Sequence, residues 1–260
     1  MADIRLADET VIDGWNSIDD FAVDDDRFIW AVSSSAEDKM IVLNSKLDHV
    51  NACKARNLKL ENPVSVHVNG RRLYVGDDGS VPRVSCFYGK KGGQDRDYPG
   101  INAKRISSGA NDTYALDVAE GRDQMLRIYG KVQGKNQFPV MSGVDDIASY
   151  GGEVYALHHT RGRRDMIVSQ ATPYVNSVMY IPSSDVKAFA MAGHDTALVI
   201  PQTGKSRSKI HAYAPGRAKP EILDPGMDVI DRMVFEPQGE LLIAGRVKKK
   251  AKIMRFEYRD

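Results

Sequence analysis

Six segments of the chain repeat one pattern: an apolar run, a short polar hairpin and a second apolar run. They are centred near Trp30, Tyr74, Tyr114, Tyr155, Leu198 and Leu242, at intervals of 44, 40, 41, 43 and 44 residues, and nothing of comparable length is left over. The third and fourth copies align best. Thr113–Asp117 (TYALD), Gly121-Arg122 and Met125 match Val154–His158 (VYALH), Gly162-Arg163 and Met166 at a fixed offset of 41. Each run is short, rich in β-branched and aromatic residues, and bounded by Gly, Asp, Asn or Ser, which are strand and hairpin signals. The runs are too short and too continuous for helical spacing.

Another candidate strand precedes each pair and ends in a turn: Asp24–Asp26, Asn69-Gly70, Asn111-Asp112, Gly151-Gly152, Gly193-His194 or Gln238-Gly239. A looser segment follows, as in Pro139–Met141, Ser177–Ile181 and Glu221–Leu223. Four strands per 40-odd residues are the mark of a propeller blade. The whole chain therefore resembles a six-bladed β-propeller, which implies an all-β fold of four-stranded blades in a single domain, residues 1–260. The blades lack the Gly-His and Trp-Asp marks of WD40 repeats, and the period is short for kelch repeats. The sixth repeat stops soon after Phe256–Tyr258, whereas Ile4–Leu6 stands ahead of the first. Residues 3–7 are thus expected to pair with residues 252–258, completing the last blade and covering an open edge.

No apolar run approaches membrane-spanning length, and the polar start MADIRLADE is no secretion signal. Cys53 and Cys86 are too few for a disulfide framework and read as reduced packing residues. These features predict a cytoplasmic protein, or one in a virion assembled in the cytoplasm, with no membrane insertion. Walker, G-x-G-x-x-G, G-x-S-x-G, H-E-x-x-H and paired C-x-x-C motifs are all absent.

Chemistry could gather where the innermost strands begin. Three of these starts carry Asp: Asp19 and Asp20, Asp145 and Asp146, and Asp231. Two others carry cations, Lys104-Arg105 and Lys187, and Arg232 follows Asp231. Converging carboxylates suit Ca²⁺ or Mg²⁺, whereas alternating signs neutralise one another and need no metal. The Asp ring resembles that of the metal-centred lactonase propellers, which implies a divalent-metal-dependent hydrolase at the central channel. The Glu and Asn ligands of that family find no matching positions, so no catalytic residue is carried over. The six histidines show no ligand spacing. Trp30, Tyr114 and Tyr155 could stack a sugar, but their place inside apolar runs favours packing.

The hairpins joining second to third strands share one face. Ser33–Lys39, Asp77–Arg83 and Asp117–Gln124 carry formal charges of −1, −1 and −2, whereas His158–Asp165, Pro201–Lys209 and Arg246–Lys252 carry +2, +3 and +5. The chain's net charge of +1 conceals this division. Two semicircles of opposite sign would orient a partner. The acidic candidates are Glu37, Asp38, Asp77, Asp78, Glu120 and Asp123. The basic ones are Arg161, Arg163, Arg164, Lys205, Arg207, Lys209, Arg246, Lys248, Lys249 and Lys250. Without aromatic residues among the basic loops, sequence-specific nucleic-acid binding is not expected. The sequence thus predicts a non-enzymatic interaction or scaffold module, binding a protein partner or itself, with no cofactor. Propeller modules of this kind occur in phage tail and head-completion proteins, a likeness of fold alone.

Overall fold

The structure, a computed structural model, describes residues 3–259 apart from 51–57, 89–92, 111, 119–122, 130–137, 159–164, 170–175, 182–185, 203–206, 216, 218 and 237. Its elements are strands. In chain order they are β1 (Asp3–Val11), β2 (Asp20–Val23), β3 (Ile29–Val32), β4 (Met40–Leu43), β5 (Pro63–Asn69), β6 (Arg72–Asp77), β7 (Arg83–Tyr88) and β8 (Gly93–Pro99). There follow β9 (Ala103–Ser108), β10 (Thr113–Asp117), β11 (Gln124–Tyr129), β12 (Phe138–Ser142), β13 (Asp146–Tyr150), β14 (Glu153–His158), β15 (Asp165–Ser169) and β16 (Asn176–Ile181). The last are β17 (Val186–Met191), β18 (Ala197–Pro201), β19 (Ile210–Tyr213), β20 (Glu221–Leu223), β21 (Val229–Phe235), β22 (Glu240–Val247) and β23 (Lys250–Arg259).

Five four-stranded antiparallel sheets arise from consecutive strands: β5–β8, β9–β12, β13–β16, β17–β20, and β21–β23 joined by β1. In the last sheet β1 lies outermost against β23, from Asp3↔Arg259 to Val11↔Lys252, with one register shift between Leu6 and Asp8.

Of the expected six four-stranded blades, five are four-stranded among the described residues. The first repeat builds only β2–β3–β4. After β4 the chain makes a tight turn in which Asn44 Oδ1 accepts the Lys46 and Asp48 amides. Among the described residues it then rejoins β4 through the Leu43↔His49 bridge and a bond from the Val50 amide to the Val42 carbonyl. Residues 51–57, which would continue a fourth strand, lie outside the described residues.

The apolar runs are explained by burial on both faces, as the sequence pattern requires. Every residue of β3 (IWAV) and β4 (MIVL) is buried. The core is a set of layers between successive sheets rather than one central mass. Leu116 and Met125 pack on Val154 and Ala156 in one layer, and Leu242 and Ile253 pack on Ile29 and Ile41 in another. Each large aliphatic side chain buried in this way contributes about 1.5–3 kcal/mol. Cys86 is buried, with burial pushing its thiol up to about 11, so it serves as packing. Cys53 lies outside the described residues. Trp30 is also packed, its Nε1 donating to Asp24 Oδ2 at 3.0 Å.

The innermost strands touch in a closed cycle: β2 beside β5, then β9, β13, β17 and β21, and back to β2. Close backbone approach demands glycine in two second strands, across neighbouring sheets at Gly76 and within one sheet at Gly245. A Cβ on Gly76 would stand 2.7 Å from the Ala103 carbonyl oxygen, and one on Gly245 would meet the Val229 carbonyl oxygen, with Met227 Sδ at 2.7 Å. Gly245→Ala should therefore cost about 1–3 kcal/mol through overpacking, read as a lowered urea midpoint at unchanged slope.

Candidate functional site

Four inner strands begin with a bulge. Their pairing with the second strand skips one residue between Pro63 and Ser65, Ala103 and Arg105, Val186 and Ala188, and Ile230 and Arg232. A bulge re-aims the side chains around it. Here the skipped residues are Val64, Lys104, Lys187 and Asp231, and the two lysines reach the next sheet. Lys104 Nζ donates to the Asp145 carbonyl at 2.8 Å. Lys187 Nζ donates to the Ile230 carbonyl and to Asp231 Oδ1, both at 2.9 Å.

The positions just after form a second level across the channel: Asp20, Ser65, Arg105, Asp146, Ala188 and Arg232. Arg105, buried, bonds to Asp20 Oδ1 through one terminal nitrogen and to Asp146 Oδ1 through Nε at 3.2 Å. Arg232 Nε stands 3.8 Å from Asp20 Oδ1. The remaining carboxylate oxygens bind neighbouring inner strands: Asp20 accepts the Val66 amide at 3.1 Å, and Asp146 accepts the Phe189 amide at 3.2 Å. Ser65 Oγ donates to the Ala103 carbonyl at 2.5 Å. Burial pushes the Asp20 carboxyl up from its ordinary value, opposed by Arg105 and Arg232. Burial also acts to lower Arg105, but the charges of Asp20 and Asp146 outweigh it and hold the guanidinium above its ordinary value.

This arrangement does not gather the five aspartates into a ligand set. Asp19 Oδ2 accepts the Ser34 amide, and Asp231 faces Lys187 and Arg246, the latter at 3.4 Å. Asp145 contributes its backbone carbonyl to Lys104, while Asp20 and Asp146 share Arg105. Among the described residues no group of three or more His, Cys, Asp or Glu is placed to hold a metal ion. Of the candidate ligands Asp19, Asp20, Asp145, Asp146 and Asp231, cations take up Asp20, Asp146 and Asp231, whereas Asp19 accepts a backbone amide and Asp145 Oδ2 is buried without a hydrogen-bond partner among the described residues. Removing the shared cation should be severe, because it leaves two buried carboxylates without their partner. Arg105→Leu is expected to lose about 3–5 kcal/mol in equilibrium urea unfolding.

Beyond this ion-paired level lies a cavity of about 360 Å³. It runs along the inner strands from Asp20 and Arg105 to the turns Asn69-Gly70 and Gly151-Gly152, on the face opposite the charged hairpins. Two residues that sequence reasoning missed stand among those lining it. His67 Nε2 and Glu236 Oε1 are both buried and have no hydrogen-bond partner among the described residues. Glu236 Oε2 lies 3.9 Å from Arg27 Nε, and Arg27 also pairs with Glu240. Burial and the neighbouring Glu240 push the Glu236 carboxyl up.

Burial, helped by Arg105, holds the His67 imidazole down at about 4, against an ordinary 6.5. Above pH 6.5 the residue is neutral whether the chain is folded or not. As pH falls from 6.5 toward 4, the unfolded chain takes up a proton that the folded one refuses, so stability is lost in that window. The loss is at most about 3 kcal/mol. The fall in stability between pH 7 and pH 4.5 should be smaller for His67→Gln than for the wild type in matched urea titrations.

On the hairpin face the described residues keep part of the expected charge. Glu37, Asp38, Asp123, Arg207, Lys248, Lys249 and Lys250 are exposed. Asp77 is corrected: it is buried, accepting the Glu61 and Asn62 amides and pairing with Arg83 at 3.2 Å, so it serves the loop's own architecture. Asp78 accepts the Asn102 amide group, Lys209 lies 3.7 Å from Asp224, and Arg246 faces Asp231. Glu120, Arg161, Arg163, Arg164 and Lys205 lie outside the described residues. The basic tip between β22 and β23 is a two-residue turn, with Lys248 and Lys249 at φ of 49° and 65°. The Lys248 amide donates to Asp228 Oδ2 at 2.7 Å, fixing that turn.

No protein-family model matches the sequence, and no curated protein is significantly similar to it. Solved structures are similar in shape. The PQQ-bound aldose sugar dehydrogenase of Streptomyces coelicolor superposes with a TM-score of 0.69 at 13% identity, covering 100% of this chain and 99% of that one. The β-propeller domain of Cps50 (Swd1) from Myceliophteria thermophila gives 0.66 at 10% identity, covering 98% and 99%. A chain of the mitotic checkpoint complex gives 0.66 at 10% identity, covering 100% and 94%. Likeness at such identities speaks for architecture and not for activity. The closed cycle of small antiparallel sheets and these superpositions together establish an all-β propeller fold.

Proposed function

We propose that the chain is a non-enzymatic interaction module: a six-bladed disc whose charged hairpin face docks an oppositely patterned protein within a larger assembly, such as a virion or phage tail complex. The three-stranded sheet counts as the sixth blade in this reading. Its inner strand takes its turn in the cycle between β21 and β5, and its apolar faces pack against both neighbours.

The observation that carries the proposal is the Lys248–Lys250 tip. Three exposed cations stand at the end of one hairpin, and among the described residues no carboxylate pairs with their side chains: Asp228 accepts the Lys248 backbone amide instead. Two-residue hairpins with both tip residues at positive φ favour Asn-Gly. Placing Lys at both positions costs of order 1–3 kcal/mol each. Folding gains nothing evident from that choice, whereas a concentrated positive charge held in a fixed position suits recognition. The acidic Glu37 and Asp38 are exposed on the hairpin of the adjacent β2–β3–β4 sheet, so charge changes sign between neighbouring blades. The mitotic checkpoint complex supplies a fold neighbour from a multi-protein assembly, which agrees with this use of the shape.

Replacing Lys248, Lys249 and Lys250 together with Glu tests the idea. Immobilised wild-type protein should retain a partner from native extract, less strongly as salt rises, and the variant should lose most of that retention while keeping its unfolding midpoint. Sedimentation at low and high salt covers self-association. Equal retention and equal sedimentation of the two proteins would place docking elsewhere.

A further inference from the structure

We infer that the central cavity binds an organic cation, an ammonium or guanidinium group carried either by a free small molecule or by a Lys or Arg side chain of a peptide. The site lies on the opposite face from the lysine tip and is independent of the docking surface proposed above.

Three observations converge. The first is an unmet acceptor. Glu236 is 5% exposed and lines the cavity, and its Oε1 is buried without a hydrogen-bond partner among the described residues. A carboxylate oxygen left so is costly, and a donor entering the cavity relieves that cost. Its other oxygen already faces Arg27, so the unmet need is directional.

The second is charge. The ionisable groups lining the cavity are Asp20, Asp24, Asp25 and Glu236 against Arg27 and Arg105. Arg105 is shared between Asp20 and Asp146, with Arg232 beside Asp20, and Arg27 lies against Glu236 and Glu240, with Arg255 beside Glu240, so that with Asp24 and Asp25 six carboxylates meet four guanidinium groups. The cavity is therefore left with an excess of negative charge, which its low-dielectric walls focus. His67 does not offset it. Held down at about 4, its ring is neutral near pH 7, and in the Nδ1–H tautomer its unpartnered Nε2 offers a lone pair instead of a repelling charge.

The third is the nature of the walls. Tyr150 and Phe235, both partly exposed, line this space, whereas Phe21 and Phe189 on the same inner strands are buried in the layers between sheets. Aromatic rings beside carboxylates form the chemistry that holds an organic cation, through ring faces for its weakly hydrated surface and oxygens for its N–H groups. An anion meets the wrong field here. A purely apolar ligand would leave Glu236 Oε1 as unsatisfied as before. A cavity of about 360 Å³ falls at the small end of ordinary ligand pockets, which suits a single side chain or a short amine.

Calorimetric titration of the purified protein with agmatine, at ionic strength held constant with sodium chloride, tests the inference. A short capped peptide, acetyl-Gly-Arg-Gly-amide, separates the two sources, and glucose serves as an uncharged probe of similar size. Saturable binding of agmatine or of the peptide is expected, the tighter of the two identifying the source. Glu236→Gln keeps the side-chain shape and should weaken binding at least about tenfold, equivalent to about 1.4 kcal/mol. Should that variant fail to fold, as judged by its circular dichroism, Asp25→Asn supplies the reading and should weaken binding severalfold. Absence of saturable binding by both cations, undiminished affinity in the folded variant, or binding of glucose in preference to either cation would overturn the assignment.

Discussion

The molecule is organised around one buried guanidinium. Arg105 holds Asp20 and Asp146, which belong to two other sheets, and each of those carboxylates then accepts a backbone amide from yet another inner strand. Inner strands are sheet edges, so their amides need partners that the sheets themselves cannot provide. The aspartates supply acceptors where the strands converge, and Arg105 makes their burial tolerable. Hydrophobic layers between sheets fix which blade sits beside which. The charged level fixes how far the strands can close on the axis, and it forms one end of the cavity.

Much of this architecture was legible in the sequence because strand repeats impose themselves through simple physics. Runs such as Ile29–Val32 and Met40–Leu43 are apolar at every position because both faces are covered. Pro139–Met141, Ser177–Ile181 and Glu221–Leu223 fall within strands β12, β16 and β20, as their β-rich composition suggests. The first repeat gave no comparable signal after Met40–Leu43, and it is there that the structure has a three-stranded sheet.

The site was less legible. Reading residues two by two placed Asp19, Asp145 and Asp231 at one height and treated Lys104-Arg105 as a single cationic step. The bulges separate them: Lys104 reaches along the entrance to the next sheet, while Arg105 turns inward to the buried level. A one-residue slip in register leaves no mark on composition or periodicity. His67 did leave one. Ser65, His67 and Asn69 alternate with Val66 and Val68, and the polar set faces the next sheet, with Asn69 bonding to Thr113 and Ser65 to Ala103. Glu236 left none, because its isolation comes from the turn that carries Gln238 and from Arg27, distant in the chain.

The pairing of β1 with β23 also has a temporal side. Asp3 meets Arg259 and Val11 meets Lys252, so nearly the whole chain separates the partners. During synthesis β1 emerges long before the strand it pairs with and must stay unpaired until β23 has been made, leaving its edge exposed meanwhile. The cycle of inner strands likewise cannot close before β21 arrives beside β2. Contacts so remote in sequence slow folding, because the entropy of closing the loop is lost before any contact repays it. The same closure favours a durable product: once β1 is zipped between solvent and β23, parting the ring requires that long strand pair to separate along its length.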